Sequence, residues 1–307
     1  MLLSAFLKIA LTFFLLSTPV GPAGDGAESS APEPAYPLVW EAAAGRGPSK
    51  VIEGDLAVEI AAKSAAVIDV QSGQVLYEKN ARQKMPIASL TKLMSAYVFL
   101  QTNPDGRETV TIAREDDAPP SKIPFREGEA FAVKDLFFSG LIGSANNAVK
   151  AFARSTGLAG ADYVSLMNKT AAEWKLKDTQ FVEPTGLDPL DQSTAYDTAM
   201  MARRIFQNPA VRKATMTGEY SFRSVNSPSV YAVETTDKLL LDETEDFRIV
   251  AGKTGFLDEA GYCLAVQARN SRGGEIIAVI LGAESDEARF GEMKELINGV
   301  FASYAWE

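Results

Sequence analysis

The chain of 307 residues contains no histidine. That absence excludes Ser-His-Asp hydrolases, Cys-His peptidases, His-ligated zinc enzymes and c-type haem proteins together. Any hydrolysis has to use a carboxylate, an amine, a tyrosinate or an oxygen-held metal in place of imidazole. Cysteine is nearly absent as well. A single Cys263 leaves no intrachain disulfide and no multi-cysteine metal site. Its neighbours, Gly261-Tyr262-Cys263-Leu264-Ala265-Val266, read as a strand in which the thiol is a small apolar core group. Positive charge is scarce: 30 lysines and arginines face 40 acids, a formal charge of −10. An acidic surface argues against nucleic acid or an anionic membrane as partner.

Long apolar runs are confined to the start. Residues 2–20 are almost wholly apolar apart from Lys8, with small residues at Gly21-Pro22-Ala23. This pattern predicts a signal peptide over 1–23, or an uncleaved anchor in its place. Either way the folded part is expected outside the cytoplasmic membrane, periplasmic or secreted. Residues 24–58, rich in Gly, Ala, Ser and Pro at their start, read as a flexible linker, and 59–307 as the folded domain.

The domain opens with a predicted β-hairpin, strands 65–70 and 74–77 around Gln71-Ser72-Gly73. A helix is expected over 89–97, with Leu93, Ala96, Tyr97 and Leu100 on one face. Further helices are expected at 133–142, 146–155, 161–176 and 194–206, the last with Thr194 and Asp197 as a capping box. Strand character returns at 247–250, 262–266 and 275–281. A final helix from about 287 carries the stripe Phe290, Met293, Leu296, Ile297, Val300, Phe301 and Tyr304. The order predicts an α+β fold, an antiparallel sheet built from both chain ends with an inserted helical lobe, and a cleft between the two.

Three short motifs carry chemistry. In Ser89-Leu90-Thr91-Lys92 a helical turn puts a hydroxyl and an amine on one face. A neutral lysine can take the serine proton if burial and nearby positive charge lower its pKa. Ser144-Ala145-Asn146 lies at a junction between helices, where the hydroxyl can relay a proton and the amide can donate and accept. Ser224-Val225-Asn226 matches the same pattern but reads as an ordinary polar loop or hairpin. Lys253-Thr254-Gly255 sits beside a strand, where a cation and a hydroxyl can hold a carboxylate.

In this order, Ser-x-x-Lys, Ser-x-Asn and Lys-Thr-Gly form the signature set of penicillin-binding proteins and class A β-lactamases. The chain resembles the low-molecular-mass D-alanyl-D-alanine carboxypeptidases and endopeptidases over roughly residues 60–300. Pro86-Ile87-Ala88 before Ser89, Phe181-Val182-Glu183-Pro184-Thr185-Gly186-Leu187, Ser193-Thr194-Ala195 and Phe256 after the third motif extend the likeness. The resemblance implies a β-lactamase/transpeptidase-like fold with Ser89 as acylated nucleophile, Lys92 as its base and Ser144 as proton relay. It implies that Asn146 orients Lys92 and binds the substrate amide, and that Lys253 and Thr254 bind the substrate's carboxylate side and help keep Lys92 neutral by like-charge proximity. Gly255 is expected to admit the acyl chain, and the main-chain N–H groups of Ser89 and Phe256 to form the oxyanion hole. No metal or cofactor is implied. The implied partners are peptidoglycan stem peptides, with β-lactams as covalent inhibitors. The further β-domain and C-terminal membrane anchor of many members are not seen before Glu307. Carboxypeptidase and endopeptidase activities both fit. A β-lactamase would need a water-activating carboxylate, for which Glu183 is the candidate, and a non-enzymatic penicillin-binding scaffold is a further alternative.

Overall fold

The computed structural model describes residues 47–306 apart from 55, 57, 119–122 and 243–244. The expected signal peptide and residues 24–46 of the expected linker lie outside the described residues. The chain enters through strand β1 (Ser49–Lys50) and forms the hairpin β2 (Ser64–Asp69) and β3 (Val75–Lys79), then the short strand β4 (Met85–Pro86). A 3₁₀ turn, Ala88–Leu90, leads into α1 (Thr91–Gln101). The inserted block follows: β5 (Thr109–Thr111), β6 (Ala130–Ala132), α2 (Val133–Ile142), α3 (Asn146–Ser155), α4 (Gly160–Glu173), β7 (Gln192–Ser193), α5 (Ala195–Ile205) and α6 (Pro209–Thr215). The hairpin β8 (Glu219–Arg223) and β9 (Val230–Glu234) returns the chain to β10 (Phe247–Leu257), β11 (Gly261–Asn270), β12 (Glu275–Ala283), α7 (Asp286–Ser303) and β13 (Tyr304–Ala305).

One antiparallel sheet runs β10-β11-β12-β2-β3. Strands from both chain ends therefore meet at the β12–β2 pair, with the helical lobe inserted between them, as the element order predicts. All six residues of β2 are buried, because the central strands are covered on both faces. On one face Ala65, Val67, Val266 and Ala278 pack with Phe290, Met293, Leu296, Ile297 and Val300 of α7. Burying these five side chains contributes on the order of 10 kcal/mol. Helix α5 is tied to the hairpin turn by Arg203, whose Nε donates to Val70 O (2.6 Å) and Nη2 to Gln71 O (2.7 Å).

Several expectations shift in detail. The motif Lys253-Thr254-Gly255 lies within β10, which pairs with β11 through Leu257↔Gly261 rather than stopping at residue 250. Gly261, at φ +67°, turns the chain there. The fold also starts before residue 59: β1 pairs with β13, and Leu56 and Val58 pack on the core. Helix α4 stops at Glu173, and Lys175 takes φ +63°. The capping box of α5 is half made. Thr194 Oγ1 accepts the Asp197 N–H (3.0 Å), but the Asp197 carboxylate serves Asp178 N (2.9 Å) instead. Helix α6, capped by Asn208 with Pro209 at its first position, has no counterpart in the sequence reading. Among the described residues no helix is long and apolar enough to cross a membrane.

Candidate active site

The turn that carries Ser89 is shaped by backbone rather than by helix propensity. Ala88 is held at φ +48°, a conformation costly for a residue with Cβ. Two glycines make room for it. A Cβ on Gly186 (φ +79°) would lie 1.9 Å from Ala88 O. One on Gly255 would lie 3.0 Å from Ile87 O and 3.1 Å from Ser89 N. Gly255 thus also packs tightly against the nucleophile turn. The main chain closes the mould: Ile87 N donates to Asp191 O (3.0 Å).

Ser89 and Lys92 meet as their spacing predicts, with 2.7 Å between Oγ and Nζ. Lys92 is fully buried, and Nζ also contacts Asn146 Oδ1 (2.6 Å) and Thr185 O (2.6 Å). Three partners thus lie within hydrogen-bond distance of the nitrogen. As an ammonium it donates three hydrogen bonds. As an amine it donates two, to Asn146 and Thr185, and its lone pair accepts the Ser89 hydroxyl proton. The site therefore accommodates both protonation states with these contacts kept. Burial pulls Lys92 down to about 7, while Glu183 and Asp191 push it back up. Desolvation is the largest cause of the lowering.

A second group sits across the Ser144-Ala145-Asn146 turn. Ser144, at φ +59°, accepts a hydrogen bond from Lys253 Nζ (2.9 Å), which also donates to Thr254 O (2.9 Å). Lys253 comes from the edge strand β10 and is buried. Thr254 and Thr236 share a hydroxyl–hydroxyl bond of 2.5 Å. Phe256, next along the edge, is 48% exposed and lies 4.4 Å from the Tyr262 ring. A buried cation, a hydroxyl pair and a free strand edge make a surface suited to an extended chain ending in a carboxylate. All eight residues singled out in the sequence fall into these two groups: Ser89, Lys92 and Asn146 around the amine, and Ser144, Lys253, Thr254, Gly255 and Phe256 along the edge. The second Ser-x-Asn match is structural: Asn226 bonds Ala130 N (2.9 Å) and Gly128 O (2.8 Å), pinning the β8–β9 hairpin.

Other functional groups escape a motif search. Thr185 acts through its carbonyl. Arg289, from α7, donates Nη1 to Gly255 O (3.0 Å) and pairs with Asp286. Asp237 is buried, and its Oδ1 accepts the Leu239 N–H (3.0 Å). Burial raises it to about 6, against the pull of that N–H and of Arg289 and Lys253. Glu183, the candidate water-activating carboxylate, has both oxygens engaged. Oε2 accepts from Thr185 N (2.9 Å) and Oγ1 (2.7 Å), and Oε1 from Leu187 N (2.7 Å).

Comparison with known proteins places the chain among related sequences and folds. The model of the family described as D-alanyl-D-alanine carboxypeptidase matches residues 50–285. The D-alanyl-D-alanine carboxypeptidase DacF of Bacillus subtilis is 31% identical over 250 residues, covering 79% of this chain and 63% of that protein. The chain thus spans less than two thirds of that relative. The D-alanyl-D-alanine endopeptidase of Pseudomonas aeruginosa is 30% identical over 240 residues, 78% of this chain and 76% of its own. Among solved structures, a Streptomyces DD-transpeptidase superposes with a TM-score of 0.73 at 26% identity, over 80% of this chain and 98% of its own. A penicillin-binding protein from Listeria monocytogenes, solved in a cefotaxime-bound form, gives 0.69 at 31%, over 80% and 98%.

Proposed function

From the fact that the chain belongs to the D-alanyl-D-alanine carboxypeptidase family, we propose that it is a serine-type D-Ala-D-Ala carboxypeptidase acting on peptidoglycan stem peptides. The observation that carries this reading is the buried Lys92 amine, 2.7 Å from the Ser89 hydroxyl and tuned to about 7. Ser89 Oγ attacks the carbonyl carbon of the penultimate D-alanine while its proton passes to Lys92 Nζ. The N–H groups of Ser89 and Phe256 stabilise the oxyanion. The tetrahedral intermediate collapses and the C–N bond breaks. The departing amine takes the proton from Lys92 with Ser144 as relay, and an ester on Ser89 remains. Water, deprotonated by the same lysine, then hydrolyses that ester and restores the serine. Lys253, Thr254 and the β10 edge hold the terminal carboxylate and the peptide. Asn146 fixes Lys92 through Oδ1.

β-Lactams present a comparable strained amide and acylate the same serine. A structural relative solved with cefotaxime bound supports this. Residues 1–23 deliver the domain beyond the cytoplasmic membrane, where stem peptides lie. A second reading is cleavage of peptidoglycan cross-links at the same site, since an endopeptidase relative matches over an equal share of the chain. Purified cross-linked muropeptides decide between them. Loss of a terminal D-alanine supports carboxypeptidase action, and conversion of dimers to monomers supports endopeptidase action. Labelled penicillin must also attach to the protein and fail on Ser89→Ala; an unlabelled wild type overturns both readings.

A further inference from the structure

A buried acid pair lies behind the base and has no part in the scheme above. Asp191 is fully buried. Its Oδ1 accepts from Val182 N (2.6 Å) and Glu183 N (3.3 Å), while Oδ2 meets no N–H or hydroxyl donor. Glu183 is its neighbour: the Glu183 main-chain N–H meets Asp191 Oδ1, and the charge of the Glu183 carboxylate acts on this acid. That carboxylate already accepts three donors from the loop that it opens. Both main chains touch the catalytic groups. Thr185 O takes the Lys92 proton contact, and Asp191 O holds the Ile87 N–H of the nucleophile turn.

We propose that Glu183 and Asp191 form one positioning unit that shares a single proton, carried on Asp191 and donated from Oδ2 to Glu183. Neighbouring ionised carboxylates repel, as the push of Glu183 on Asp191 shows, and a buried oxygen with no donor is costly. One proton removes both problems. It also fixes the charge that Lys92 feels at one unit instead of two. Among the described residues, the titratable groups that act on one another here are Lys92 from α1 and the two acids themselves. Burial, and Glu183 beside it, raise Asp191 to about 8, while hydrogen bonds hold Glu183 low. With Asp191 neutral its push on Lys92 is absent, so the amine is held lower than it would be beside two charged acids. Above about 8 the second charge would raise Lys92 again and oppose further loss of its proton.

This inference rests on Lys92 being the base, and the test separates the two. Isotope-labelled aspartate in the full chain reports each carboxyl carbon by NMR. The expected result is one carbon with the shift of a neutral acid at pH 7, titrating near 8 and absent from Asp191→Asn. Asparagine keeps a donor toward Glu183, so the midpoint of the acid limb of Ser89 acylation should stay within about half a unit. A downward move of about one unit or more means that two charges face Lys92 in the wild type and overturns the proposal. If Asp191→Asn fails to fold, the wild-type spectrum decides alone: no neutral aspartate between pH 7 and 8 refutes the shared proton. Failure of penicillin to acylate the wild type would refute the peptidase reading and leave that spectrum untouched.

Discussion

Acylation of Ser89 should follow the ionisation of Lys92. With the amine at about 7, half of the molecules hold a neutral base at neutral pH. An ordinary lysine, near 10.4, would be neutral in only about one molecule in 2,500. Burial of this one side chain therefore gains about three orders of magnitude in competent enzyme. The sign is fixed by which form reacts: the amine is the base, so activity is lost as pH falls. Below 7 the rate should drop about tenfold per unit, reaching about a hundredth of its plateau near pH 5. The assay is stopped-flow acylation by a fluorescent penicillin between pH 5 and 9, read as a second-order rate constant. No histidine titrates in the same window, since the chain has none. A rate flat from pH 5 to 7, or a midpoint above 9, would refute a buried neutral lysine as base.

The remaining predictions concern the same framework. Lys92→Arg should not acylate, because a guanidinium stays charged. Lys92→Met should not acylate either, but its stability against wild type should depend on pH. A folded-state pKa of about 7 against 10.5 unfolded makes the charged native form costly by about 5 kcal/mol, in full below 7. Wild type regains that stability between 7 and 10.5, so the gap seen in urea titrations must change across that window; a constant gap refutes the shift. Gly186→Ala should cost more than about 2 kcal/mol and stop acylation, since its Cβ meets Ala88 O at 1.9 Å on a positive-φ backbone. Gly255→Ala, with contacts of 3.0 Å and more, should be milder, at about 1 kcal/mol; the reverse order would contradict the packing. Cys263 is buried and its thiol is pushed up to about 11 by that burial. It should ignore a thiol reagent at pH 8 until the protein is unfolded, and rapid native labelling would count against this.

Much of this arrangement is legible in the residues because it is local. The Ser89–Lys92 contact follows from i, i+3 geometry, and the stripe on α7 from its period. What stays hidden is set by distant partners or by the main chain. Thr185 works through a carbonyl that any residue could supply. Arg289 reaches Gly255 from another element. The positive φ of Ala88 and Ser144 contradicts their intrinsic preference, and tertiary packing imposes it. The extent of β10 is hidden because Lys253 and Gly255 have low strand propensity, and the pairing with β11 overrides that. The cause of the low Lys92 pKa is burial, which no motif records.

The pairing of β1 with β13 brings the entrance and the exit of the fold side by side, as neighbouring strands lie about 4.8 Å apart. A short glycine bridge could join them, with new ends opened in the exposed stretch around Arg107. In such a circular permutant Ser144 and Lys253 would precede Ser89 along the chain, while the same side chains would still surround the amine. The succession of motifs by which the family is recognised is therefore a record of descent. The chemistry depends only on where those groups meet in space.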